Sequence, residues 1–387
     1  MTAGGSSARS RSRSWARDAL VPVGSLILFA AMLSLVLGSS GKTLGYDFEA
    51  YLGAARRLVD GGQLYDPSIS ATGGYAVYLY PPPFAVALVP WLLFGGAAAG
   101  LWCVAMAACF LAGVAMLPVR RDVRWLIVIV AALDWPLFNA LRLGQVEPLL
   151  FLGFAAAWRW MDRPAAVGVA TAIGALVKVQ PGLLGIWALL TGRYRAVGVA
   201  AVAVLAMAGA ASLVTGLAAW FTYVDVLRVL SGTYSIGNSS SPGAVAYLGG
   251  APVWLATTVQ LASEAIAAAA LLAAWRWASP EASLQVTIVV SQLMSAPLFD
   301  HYAVLLLLPV AWLVDRGRIW AALIPAVGWL YMLRAVDERA WPAIASIPLS
   351  FFVVLAVLLM EAYLERRDVR RDRPEAAFVV AGVIREP

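Results

Sequence analysis

Long apolar stretches alternate with short polar breaks along most of the chain. The apolar runs lie at 20–37, 82–94, 97–117, 125–143, 145–161, 164–178, 181–191, 196–216, 253–275, 284–297, 302–314, 319–333 and 343–361. Runs of this length and purity predict membrane helices rather than the amphipathic helices of a soluble core. Arg9, Arg11, Arg13 and Arg17 precede the first run, and Arg366 to Arg373 follow the last. Basic flanks stay in the cytoplasm, so an odd number of crossings is excluded and one run must turn back. Two runs are candidates: 82–94, opened by Pro81-Pro82-Pro83, and 125–143, broken by Asp134, Pro136 and Asn139. Keeping Arg120, Arg121 and Arg124 inside favours 82–94. The expected architecture is an all-α polytopic bundle of about twelve transmembrane helices.

Two long polar loops, near 39–81 and 217–252, then fall on the outer face, and the inner loops are short Arg-bearing turns. Within the first loop the apolar positions 48, 51, 52, 55, 58 and 59 recur with a helical period, with Glu49, Arg56, Arg57 and Asp60 opposite. This predicts an amphipathic helix lying in the outer interface. Two hairpins are too short to reach that interface. Residues 284–314 leave each arm about 15 residues, or ~23 Å against a hydrocarbon core of about 30 Å. The turn Pro297–His301, and the one at Lys178, Gln180 and Pro181, should therefore lie below the surface. Irregular polar backbone at that depth must line protein or a water-filled cavity, so a polar cavity open to the outside is expected.

Composition sharpens this picture. Of the 387 residues, 62% are hydrophobic and 13% charged, with mean hydropathy +0.80, which excludes a soluble enzyme and a disordered chain. The formal charge of +6 comes from flanking arginines, not from a nucleic-acid surface. Cys103 and Cys109 are too far apart on one helix for a disulfide. With one histidine and two cysteines, no metal or other cofactor is expected. Residues 1–19 read as a cytoplasmic Arg-rich tail, 20–363 as one membrane-embedded domain, and 364–387 as a partly disordered cytoplasmic tail.

Few polar residues remain to carry chemistry. Asp47 opens the amphipathic helix, and read alone it is more simply an N-cap than a catalytic group. Lys178, one of two lysines, is an intramembrane charge and a functional candidate, with snorkelling to the headgroups as the plainer account. His301 is either a polar residue satisfied by Asp300 or a backbone carbonyl, or a donor or proton-transfer group in the cavity. Gln145 in Leu143-Gly144-Gln145, and Asn238 in Asn238-Ser239-Ser240-Ser241-Pro242, are polar breaks on the same side. Tyr78, Tyr80, Trp91 and Trp102 are either interfacial aromatics or substrate contacts. The use of 26 arginines and 2 lysines points to a GC-rich bacterial source.

The order of motifs resembles a known family. It runs Tyr46-Asp47-Phe48-Glu49-Ala50-Tyr51, Gly62-Gln63-Leu64-Tyr65-Asp66, Tyr80-Pro81-Pro82-Pro83-Phe84, Gly144-Gln145-Val146-Glu147-Pro148, Lys178 to Pro181, Gly237-Asn238-Ser239-Ser240, and Ala296-Pro297 to His301-Tyr302. This series resembles glycosyltransferase family 87, the polyprenyl-phosphate-mannose-dependent alpha-1,2-mannosyltransferases of actinobacteria, whose members extend phosphatidylinositol mannosides and branch lipomannan. The likeness spans roughly residues 20 to 360. It implies a C-type glycosyltransferase fold, a catalytic aspartate at Asp47, and substrate or donor-phosphate contacts at Lys178, His301, Gln145, Asn238, Tyr51 and Tyr80. It further implies a polyprenyl-phosphate sugar donor, a glycolipid or lipoglycan acceptor, no cofactor, and a bacterial plasma-membrane enzyme with both termini cytoplasmic. The family pattern often has Asn where Glu147 stands. The rival readings are arabinofuranosyl transfer from a polyprenyl phosphoarabinose and, from another class, a transporter or lipid flippase, which would more commonly show inverted repeats.

Overall fold

The computed structural model describes residues 6–65, 77–231, 239–295, 297–337 and 340–371. Within them the chain is helical, without a strand. From the N-terminus the helices are α1 (Ser6–Ser39), α2 (Tyr46–Val59), α3 (Pro82–Leu88), α4 (Ala98–Met116), α5 (Arg121–Ala132), α6 (Trp135–Leu143), α7 (Glu147–Arg159) and α8 (Pro164–Val177). The second half contributes α9 (Leu183–Leu190), α10 (Tyr194–Thr215), α11 (Ala218–Ser231), α12 (Pro242–Leu248), α13 (Val253–Trp277), α14 (Pro280–Leu293), α15 (Leu307–Asp315) and α16 (Trp341–Arg371). Tighter 3₁₀ segments join them at Val89–Ala97, Asp300–Leu306 and Ile319–Ala335.

Five described stretches are long and apolar enough to cross a bilayer: Ala19–Ser39, Pro82–Met116, Tyr194–Thr215, Val253–Trp277 and Trp341–Asp368. The α5–α6 pair, bent by 65°, makes a sixth if it is one broken span. The pattern-based count is about twelve; length and composition of the observed helices support five or six. The difference lies in the middle of the chain, where apolar runs fold as half-length helices interrupted by polar residues and prolines. Asp134 N-caps α6, accepting from Leu137 N–H at 3.2 Å. Pro136 in the first turn of α6 removes a backbone donor that a continuous helix would need. Both runs named as candidates for turning back are broken: 82–94 passes from α3 into a 3₁₀ segment with non-helical Gly95.

The bundle's outside is apolar, as a lipid-facing surface requires. On α10, Leu205 and Leu213 are 72% and 90% exposed, a placement that water would penalise. One group of charged residues pairs between helix ends. Arg120 meets Asp315 at 3.1 Å, Arg316 bridges Glu281 and Glu365, and Arg318 holds Glu361 at 2.6 Å. These pairs tie together the starts of α5 and α14, the end of α15 and the far part of α16. Cys103 and Cys109 are free, as their spacing requires.

Small residues set the closest helix contacts. A Cβ on Gly168 of α8 would stand 2.7 Å from the Ala196 carbonyl oxygen and 2.6 Å from Val199 Cβ on α10. Gly168→Ala should therefore push α8 from α10 and cost about 1–3 kcal/mol. A lower melting temperature of the purified variant in detergent checks this; an unchanged one contradicts the packing.

Candidate functional site

The polar breaks converge. Gly45, with φ +72°, precedes α2, and Gly144, with φ +76°, ends α6. Neither position suits a residue with a Cβ, and the two backbones touch: Gly45 N–H donates to the Arg142 carbonyl at 2.7 Å. Trp102 clamps the contact, donating to the Gly144 carbonyl at 2.8 Å and stacking on Phe48 with ring centres 4.7 Å apart. This crossing places Asp47, two residues after Gly45, beside Gln145, one residue after Gly144. The Gln145 amide N–H donates to Asp47 Oδ2 at 2.6 Å.

The orientation of that amide is fixed from the other side. Tyr51 and Tyr80 hydroxyls each lie 3.1 Å from Gln145 Oε1, and Tyr51 donates to Tyr80 at 2.8 Å. With the Tyr51 proton given to Tyr80, the Tyr80 hydroxyl donates to Oε1 and leaves the NH₂ end of Gln145 for the carboxylate. Asp47 is thus no N-cap: Gly45 holds that position and no side chain caps the helix. Burial pushes the Asp47 carboxyl above its ordinary value, and Glu147 adds to the rise. His301, the Gln145 hydrogen bond and Lys178 pull the other way.

Asp47 opens onto a cavity of about 860 Å³ that is also lined by Tyr51, Tyr80, Gln145, Lys178 and His301. Six of the seven residues singled out from sequence therefore share one space. Asn238 lies outside the described residues, as do Asp66, Gly237 and Ala296 of the quoted motifs. The adjoining Ser240 is described and fully buried, its N–H donating to the Leu298 carbonyl at 2.5 Å, so the second long loop reaches the Pro297–His301 turn. Gln180 also reaches this turn region, donating to Ser295 Oγ at 2.7 Å.

Lys178 and His301 are both buried. Lys178 Nζ donates to Glu147 Oε1 and sits 4.0 Å from the centre of the Tyr302 ring. His301 Nε2 is 3.7 Å from the same Glu147 oxygen, and Nδ1 is 3.6 Å from Asp300 Oδ1. Neither nitrogen makes a hydrogen bond among the described residues, so His301 is not the satisfied structural histidine that the sequence left open. Tyr78 and Trp102 are buried within the bundle.

Several residues in or behind this wall are less evident from the sequence. Asp300 was named only as a partner of His301, yet its Oδ2 accepts from Asn139 at 2.8 Å and from Trp135 at 3.1 Å. Asn139 Oδ1 in turn accepts from Arg142 at 2.8 Å. Glu147 was noticed only as a departure from a pattern. A carboxylate inside an apolar run was signal enough to single it out. Among the described residues no cluster of three or more potential metal ligands occurs.

The sequence profile described as glycosyltransferase family 87 matches residues 78–299. No curated protein matches the chain.

Gly144 tests the crossing that builds the site. A Cβ there would meet Phe48 Cβ at 2.7 Å in a backbone conformation that disfavours it. Gly144→Ala should destabilise the protein by at least about 1–2 kcal/mol, seen as a lower melting temperature in detergent. An unaffected variant would mean that the two backbones are not in contact.

Proposed function

We propose a specific transfer reaction from a firm premise: this chain belongs to glycosyltransferase family 87, and it is a multi-pass membrane glycosyltransferase. In our reading the donor is a hexose, mannose above all, carried on polyprenyl phosphate. The acceptor is a hydroxyl of a glycolipid or lipoglycan. One observation supports this most directly: a carboxylate held by a neutral amide faces the same cavity as a buried lysine and histidine. That is a base and an anion site within one space.

Asp47 accepts the proton of the acceptor hydroxyl as its oxygen attacks the anomeric carbon. The bond to the sugar's anomeric carbon forms on one face as the bond to the phosphate oxygen breaks on the other. The electron pair leaves on the phosphate, and the configuration inverts. Lys178 and His301 stabilise the charge that grows there. Gln145, with Tyr51 and Tyr80 behind it, aims the Asp47 carboxylate, and Asn238 completes the substrate contacts. An apolar cleft of about 310 Å³ between α7 and α8, lined by Gly153, Phe154, Ala170 and Pro181 among others, suits an isoprenoid chain. Pro181 lies three residues after Lys178 in one turn, so a chain in this cleft would lead toward the phosphate.

The charge distribution favours an outward-facing cavity. The paired arginines of the α5, α14 and α15 turns gather at one end, which is cytoplasmic by the positive-inside rule. α2 then lies along the outer interface, both termini are inside, and the shorter helices complete a bundle of about twelve crossings.

Asp47→Asn should lower transfer from a labelled polyprenyl phosphomannose by roughly 10²–10⁴-fold with an unchanged melting temperature; turnover near that of the wild type would remove Asp47 from the mechanism. The pH dependence follows from its surroundings. A base works only when ionised, and burial raises the pH at which Asp47 takes up a proton, so activity should fall as pH drops through that raised value. Gln145→Leu deletes a hydrogen bond that favours the ionised form. The acid limb of kcat/KM should then move up by about one pH unit. A limb that stays put or moves down contradicts the assignment.

A further inference from the structure

Glu147 has no part in the reaction as written above. It is fully buried and does not line the cavity. Lys178 and His301, which do, both approach its Oε1. Its Oε2 is buried with no hydrogen-bond partner among the described residues, so the carboxylate is not held there by a network of its own. Nor does it cap α7, whose N-cap is Val146 with no side-chain cap. An ionised carboxylate in such a place is costly to desolvate. Its effect on the cavity is to cancel the ammonium charge. With Glu147 in contact, Lys178 offers an incoming anion one side of a neutral pair, steadied by the Tyr302 and Tyr80 rings at 4.0 and 5.8 Å.

Resting on the polyprenyl-phosphate reading above, we propose that Glu147 is a positioning residue that competes with the phosphate for Lys178, so that the spent polyprenyl phosphate leaves. The phosphodiester of the donor carries one negative charge. The phosphomonoester left after transfer carries close to two. An unopposed lysine would therefore hold product more tightly than substrate, because attraction scales with the charge. A carboxylate against the lysine weakens the hold on both, and more on the product. Glu147 touches neither substrate nor product; it acts through Lys178 and, at 3.7 Å, His301.

The test uses the full chain in detergent, farnesyl phosphate as the binding probe, and a short-chain polyprenyl phosphosugar as donor. Glu147→Gln keeps the shape and an acceptor for Lys178 while removing the charge. Its Kd for farnesyl phosphate should fall about tenfold. Donor KM and kcat should fall together, with kcat reduced more than the single-turnover rate because release has slowed. Glu147→Gln combined with Lys178→Gln should lose the gain and bind more weakly than wild type. A merely structural glutamate would lower stability without tightening binding or splitting kcat from the single-turnover rate. If Glu147→Gln does not fold, Glu147→Asp, which withdraws the carboxylate by one methylene, should shift Kd in the same direction.

Unchanged or weaker farnesyl phosphate binding in the folded variant overturns the proposal while leaving the donor assignment intact. Absence of binding by wild type overturns both.

Discussion

A lysine buried in an apolar bundle must be met by a negative charge, and the Lys178–Glu147 contact meets that demand. The two residues belong to neighbouring helices that run in opposite directions, Glu147 opening α7 and Lys178 following the last residue of α8. Their contact therefore pins the top of a helical hairpin. Breaking such a pair by removing one partner typically costs about 3–5 kcal/mol. The cavity is built around this fixed point. His301 reaches the same carboxylate from the segment after α14, and Tyr302 covers the ammonium. With Lys178 secured, the remaining polar breaks have one place to meet.

How much of this was legible in the sequence follows from the range of the forces involved. Local breaks were legible because Pro, Gly and charge interrupt an apolar run by short-range chemistry. Lys178 and Pro181 of one turn are buried while Val179 between them is exposed, and Pro297, Leu298, Asp300 and His301 of the other are buried. The helix from Tyr46 to Val59 buries Phe48, Tyr51, Leu52 and Ala55, four positions of the periodic stripe. Which break faces which was not legible, because that depends on packing between residues about 100 apart. The partnership of Asp47 with Gln145 rests on two glycines at positive φ, and a capping role suits the same local sequence equally well. The number of crossings was the weakest expectation, since composition marks a run as apolar without saying whether it continues straight.

The two aspartates of the cavity make a comparison that bears on the choice of base. Each is held by a side-chain amide whose oxygen is occupied elsewhere: Gln145 by the Tyr80 hydroxyl, Asn139 by the Arg142 guanidinium. The parallel ends at the carboxylates. Asp300 Oδ2 takes two donors, from Asn139 and Trp135, and its Oδ1 stands 3.6 Å from His301. Oδ2 of Asp300 is thus already engaged by two neutral donors. Asp47 receives one side-chain hydrogen bond among the described residues, on Oδ2, in a place where burial raises its proton affinity.

The raised proton affinity of Asp47 and its lighter engagement favour it as the base of the proposed transfer. A general base needs a free lone pair directed at the acceptor and a proton affinity close to the working pH. In the proposed reaction Asp47 takes this role, with a single side-chain hydrogen bond on Oδ2 and a raised proton affinity, whereas Asp300 Oδ2 already accepts from Asn139 and Trp135. This division separates the proton's path from the phosphate's. In the proposed displacement the proton would move to the α2 edge while negative charge develops toward Lys178 and His301. A single pocket can serve both ends of an inverting displacement only if its acidic and basic poles are kept apart. In the proposed reaction those poles belong to different helix junctions, the start of α2 on one side and the α8–α9 turn on the other.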